Sequence, residues 1–162
     1  MSNIVQGLKK FDQILAKGEA AVLILLVSVM TLVVFLQVVF RYALGRPLDW
    51  SEELASYLFV WLSVLGAALA VQKGGHFGLD FFSRLLPGPG KRFIWILIHL
   101  LMASVVLVIL FQGITLVQRT RLQLSPAMSV SMAWPYASLP TGAALMAVHL
   151  LTALIKDGLK GE

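Results

Sequence analysis

Few residues in this chain are able to do chemistry. Three histidines, eight carboxylates and no cysteine are available, which excludes thiolate nucleophiles, disulfides and cysteine metal sites. His99 and His149 each lie seven residues from a flanking base, Arg92 and Lys156, inside apolar runs. On neighbouring membrane helices they would share a depth, the arrangement that ligates a b-type haem. A hydrogen bond across a helix interface is the simpler reading. His76 and Asp80 stand four apart, a spacing suited to a proton relay or a metal pair. With no third ligand nearby, a local hydrogen bond or helix cap accounts for them more simply. The third grouping is FRYALGRPLDWSEELASYLFVW at 40–61, which gathers Arg41, Arg46, Asp49, Glu52 and Glu53 beside Trp50 and Trp61. No glycine-rich phosphate loop, nucleophile elbow or HExxH occurs, so no enzyme and no cofactor are expected.

These groups are positioned by elements that composition classifies. The chain is 59% hydrophobic and 13% charged, with a mean hydropathy of +0.87. Soluble domains run at about 45–50% apolar and about 25% charged. Charge-free intervals occupy 20–40, 54–72, 93–118 and 122–155. About 20 apolar residues cross a hydrocarbon core of about 30 Å, so the first three intervals fit one span each. The fourth is too long for one span and too short for two. Its first part, LQLSPAMSVSMAWP, reads as a re-entrant or surface-lying approach to a span at 133–155. Pro135 falls in the first turn of that span, and Pro140 predicts a kink.

An amphipathic lead-in at 4–17 places Ile4, Leu8, Phe11 and Leu15 on one face and suggests a helix on the membrane surface. The first apolar run exceeds a signal-peptide core and lacks a small-residue cleavage site after it, so a cleaved signal is not expected. A second interfacial segment is predicted at 77–86, with Leu79, Phe82, Leu85 and Leu86 as its apolar face. The expectation is an all-α integral membrane protein, one four-helix domain over 1–162. Nine lysines and arginines fall on the side of the two termini and four on the other, so the positive-inside rule places both ends in the cytoplasm. The net charge of +5 is scattered at the ends of apolar runs, a topology signal rather than a nucleic-acid stripe.

No Asp, Glu, Lys or Arg lies inside the four spans as bounded above. Ion-coupled carriers keep such groups at mid-membrane, so a self-sufficient carrier or channel is disfavoured. Gly66, Ala70 and Gly74 recur every four residues, as do Ala133, Ala137 and Thr141. Small residues at this spacing let helices approach closely, either within the bundle or against a partner.

For the charged stretch, a structural account comes first. Asp49 and Glu52 have capping-box spacing, acidic residues suit a helix N-terminus, and Trp50, Tyr57 and Trp61 suit the membrane interface. Arg41, Arg46 and Glu53 exceed what a cap requires. A polar rim beside aromatic residues is the composition of a docking surface.

The run from Gln37 to Phe82 resembles the small membrane subunit of tripartite ATP-independent periplasmic (TRAP) transporters, the DctQ-like family. The resemblance rests on F-R-Y at 40–42, P-L-x-W-x-E-E at 47–53, F-V-W at 59–61, and the downstream Gly66, His76 and Asp80. The later SPAMSVSMAWPYASLPTGAALMAVHLL is similar to the family's fourth span. Phe77 departs from the aliphatic residue usual after the histidine. The resemblance implies a subunit of the bacterial inner membrane that pairs with a large subunit carrying the substrate and sodium sites. A periplasmic binding protein would deliver an organic acid, with the small subunit as a static scaffold amid membrane phospholipids. Arg41–Glu53 and the Gly66–Gly74 face are the expected partner surfaces. The rival readings are a b-haem electron-transfer subunit and an autonomous channel or exporter.

Overall fold

The computed structural model describes the backbone of residues 2–74 and 89–158 and the side chains of 6–73 and 96–155. The elements are α1 (Ser2–Tyr42), α2 (Asp49–Gly74), α3 (Pro89–Thr120), a short α4 (Ala133–Tyr136) and α5 (Ser138–Gly158). Among the described residues, four segments are long and apolar enough to cross a membrane: Gln6–Tyr42, Asp49–Lys73, Ile96–Thr120 and Ala133–Ile155. No strand occurs among the described residues; one isolated bridge pairs Leu124 with Ser131.

The lead-in and the first span form one uninterrupted helix, 41 residues long. Lys17, Gly18 and Glu19 do not end it, because a charged residue or a single glycine weakens a helix without stopping it. The turn after α1 does stop it. Gly45 takes a left-handed φ of 63°, and the Arg46 N–H donates back to the Phe40 carbonyl at 3.0 Å.

The helices stand in a row, α1 beside α2, α2 beside α5, α5 beside α3, with α1 and α5 also meeting at one end. Among the described residues α3 touches neither α1 nor α2. The arrangement is an open palisade rather than a closed bundle, and its broad faces remain apolar and uncovered. Ile24, Leu32, Phe35, Leu101, Val108 and Phe111 are each more than half exposed. The seams between neighbours are tight. Ala68 on α2 and Ala143 on α5 are fully buried. A Cβ at Gly142 would meet Val64 Cγ1 at 2.2 Å, and one at Gly113 would meet Pro140 Cδ at 2.9 Å.

The regular helix is interrupted at Ala137, between α4 and α5. Proline cannot donate to the carbonyl four residues back and clashes with it, so the helix breaks ahead of it and restarts at Ser138. Pro140 then occupies a first turn, where a missing N–H costs little. The fully buried Ser138 hydroxyl donates to the Pro135 carbonyl at 2.7 Å.

Candidate functional site

At the end of the row where α2 begins, the connection 121–132 folds into a compact hairpin. Ser125 N–H donates to the Val130 carbonyl at 2.9 Å and Met132 N–H to that of Gln123 at 2.8 Å. Ser129 adopts a left-handed φ of 52° at its tip. Glu53 holds this hairpin. Its Oε2 accepts from the Ala127 N–H at 2.8 Å and the Met128 N–H at 3.2 Å. Its Oε1 accepts from the buried Tyr57 hydroxyl at 2.5 Å, with Met132 Sδ 3.2 Å from the same hydroxyl. A carboxylate facing two successive backbone N–H groups makes strong charge-assisted bonds.

This arrangement reverses the division of labour expected within the charged stretch. Glu53 does the structural work. Asp49 and Glu52 make no side-chain hydrogen bond or ion pair among the described residues, so the capping box does not form. Ser51, fully buried, instead donates its hydroxyl to the Leu48 carbonyl at 2.6 Å. Arg41, Arg46, Asp49 and Glu52 are all exposed, with Arg119 and Arg121 exposed at the same end. Trp50 is part-exposed. The Trp61 ring lies against Trp134 with centroids 6.0 Å apart, so it joins α2 to the start of the last span. Glu53→Ala should speed amide exchange at Ala127 and Met128 by about tenfold, the order expected when a bond to a charged group is lost to water. Glu53→Gln, which keeps one acceptor oxygen, should have a smaller effect, and mass-resolved hydrogen exchange reads both.

Gly66 and Ala70 fall on the outer side of α2. No atom beyond its own helix lies within 4 Å of a Cβ built on Gly66. Ser56, Ser63, Ala67 and Ala70 are exposed on the same side. Gly74 ends α2 at the limit of the described side chains. His76 and Asp80 lie outside the described residues, as does the interfacial segment 77–86.

A second cluster, at the opposite end of the row, was not anticipated. The His149 ring on α5 is fully enclosed, with Nδ1 2.6 Å from Asp12 Oδ1 and Nε2 2.9 Å from Glu19 Oε1. Thr152 Oγ1 donates to Asp12 Oδ1 at 3.1 Å and Gln72 Nε2 to Asp12 Oδ2 at 3.3 Å. Three helices thus meet on one carboxylate. Glu19 is 5% exposed, and its Oε2 is buried without a partner. Both ring nitrogens of His149 face carboxylates, which removes it from the haem reading. His99 is buried and has its own partner. The signal for this cluster is in the sequence. Leu8, Asp12, Leu15 and Glu19 follow at helical spacing, so two acids sit within an apolar stripe.

With this geometry in hand, comparison with known proteins assigns the family. The family model "Tripartite ATP-independent periplasmic transporters, DctQ component" matches residues 30–158. The sialic acid TRAP transporter small permease protein SiaQ of Vibrio cholerae is 27% identical over 89% of this chain and 83% of its own. The C4-dicarboxylate small permease protein DctQ of Rhodobacter capsulatus is 26% identical over 93% and 80%. The sialic acid permease SiaT of Haemophilus influenzae is 32% identical over 72% of this chain, which spans 19% of SiaT. A second long relative, the isethionate permease DctMQ of Oleidesulfovibrio alaskensis, is covered over 17% of its length. The chain is a multi-pass membrane permease subunit, not an enzyme, and belongs to the DctQ-component family of tripartite ATP-independent periplasmic transporters.

Proposed function

We propose that this chain is the small scaffold subunit of a sodium-driven, binding-protein-dependent transporter for organic acids, seated in the inner membrane with both termini in the cytoplasm. It braces a large transport subunit and helps to dock the periplasmic binding protein. The observation that carries this reading is the open row. A lone transporter needs a polar path enclosed by helices, whereas a row of helices with uncovered faces offers surface for another membrane protein. Within the row Asp12, Glu19 and His149 bond to one another across the helices. The far greater length of SiaT and DctMQ fits a partner that is fused in those relatives.

The outer side of α2 supports close approach by a partner helix, since Ser56, Ser63, Gly66, Ala67 and Ala70 present little bulk there. The opposite charges Arg41, Arg46, Asp49 and Glu52 have no side-chain partner among the described residues and suit the rim of a protein contact, where charge governs association rate. Co-expression with a candidate large subunit tests the scaffold reading. Stoichiometric co-purification is expected, and robust sodium-driven uptake by this chain alone would sink it. Ala70→Trp should reduce complex yield by about tenfold or more, the scale at which a well-packed contact of more than 1 kcal/mol is lost. Asp49→Lys with Glu52→Lys should leave the complex intact and raise the binding-protein concentration needed for half-maximal uptake several-fold. Unchanged uptake would remove these two residues from docking.

A further inference from the structure

The N-terminal arm of α1, residues 6–19, carries three lysines and two acids. In the folded chain those charges are sorted by side. Asp12 and Glu19 both turn inward onto His149. Lys9, Lys10 and Lys17 are all exposed, and no acidic side chain of the arm shares the face of Lys10 and Lys17. Lys10, Ile14 and Lys17 follow one another along the helix at spacings that keep them adjacent, with Phe11 on the flank beside Ile14. Phe11 is 57% and Ile14 61% exposed. The inward clamp therefore converts a weakly charged segment into a surface that is cationic along one line and apolar along the next.

We infer that this outward face of the arm is a docking surface for anionic phospholipid headgroups. Lys10 and Lys17, with Lys9 at the edge, meet the phosphates, and Phe11 and Ile14 enter the acyl boundary. Length places the arm at that level. A 41-residue helix is about 62 Å long, against about 40–45 Å for a bilayer with its headgroups, so α1 is long enough to tilt and keep its N-terminal arm at the headgroup layer. Continuity selects lipid over a protein as the occupant. The Phe11–Ile14 line runs on down the same side of the helix through Val22, Leu25, Val29 and Leu32, all exposed. Exposed apolar surface of the span thus leads, across Gly18, into the lysine-edged arm. Basic amphipathic helices bind anionic interfaces through this combination of apolar burial and electrostatic attraction.

The inference needs only that the chain spans a membrane, so its failure would leave the transporter reading untouched. The chain lacks cysteine, which permits a single fluorophore at Gln13→Cys, an exposed position among the lysines. The labelled full-length chain is reconstituted in phosphatidylcholine bilayers containing a minority of spin-labelled phosphatidylglycerol or spin-labelled phosphatidylcholine. Quenching should show the anionic lipid associating about fivefold more strongly, the factor one lysine contributes near an anionic surface, and the preference should fade in high salt. Replacing Lys9, Lys10 and Lys17 with glutamine should bring the ratio close to unity while the fold, read by helical circular dichroism, is unchanged. Equal quenching by both lipids at low salt would overturn the proposal, as would a preference that survives the triple substitution. Quenching by neither lipid, with the fluorophore shielded by a co-reconstituted large subunit, would assign the face to protein instead and overturn it equally.

Discussion

Replacing His149 with leucine is expected to destabilise the chain by about 3 kcal/mol, the upper part of the range for leaving buried hydrogen-bonding groups without a partner. Leucine matches the imidazole in bulk, so little cavity is made and the loss reports on the hydrogen bonds to Asp12 and Glu19. What it leaves behind is the cost. Glu19 is 5% exposed with one oxygen already unpartnered, and the substitution strips the other. Asp12 retains Thr152 and Gln72 and is less enclosed, at 17% side-chain exposure, which limits its share of the loss. A neutral cluster provides the control. Asp12→Asn with Glu19→Gln in the leucine background removes both orphaned charges and should recover more than half of the loss. Denaturant unfolding in mild detergent measures both steps. A leucine variant within about 1 kcal/mol of the parent, or a triple variant no better than the single, would show that the carboxylates are not held by His149. The same substitution should free the start of α1, so amide exchange should rise first in residues 6–19.

The spans were legible because burying backbone in lipid demands long apolar helices, and charge-free intervals report that demand directly. What escaped was any feature set by contact between distant segments. Bounding the first span at Glu19 hid the His149 cluster, since a charge was taken to mark the edge of a membrane helix. Glu19 is tolerated inside the helix because a histidine 130 positions later reaches it. The local clue, two acids in the apolar stripe of the lead-in, was readable but was read as a surface helix. Glu53 is a similar case. Two of its partners lie 74 and 75 residues away, while Asp49 and Glu52, whose spacing fits a cap, make no side-chain bond among the described residues. Spacing proposes local bonds well and says nothing about a loop arriving from elsewhere in the chain.

The small residues carry the same lesson into the last expected result. Gly66 and Gly142 both occur among small neighbours at helical spacing, yet their surroundings are opposite. A Cβ on Gly66 meets open space, while one on Gly142 comes within 2.2 Å of Val64 Cγ1 and 3.3 Å of the Val64 carbonyl oxygen. Alanine raises helix propensity by up to about 1 kcal/mol over glycine. Overpacking a tight seam costs about 1–3 kcal/mol, so at Gly142 the clash wins. Gly142→Ala should therefore destabilise the isolated chain, and Gly142→Leu should separate α2 from α5 along the Ala68–Ala143 seam. Val64 is β-branched and stiff at χ1, so it cannot simply swing aside; Val64→Ala in the Gly142→Ala background removes the colliding methyl and should restore much of the stability. Gly66→Ala should leave the isolated chain as stable as the parent or slightly more so. If the outer side of α2 receives a partner helix, that same substitution should lower the yield of the complex with the large subunit. A position neutral in the free chain and costly in the complex is the signature of an interface residue. Unfolding in detergent and co-purification, run on the same pair of variants, separate the two roles: loss of stability at Gly66, or loss of assembly without loss of stability at Gly142, would reverse the assignment of inner and outer faces to α2.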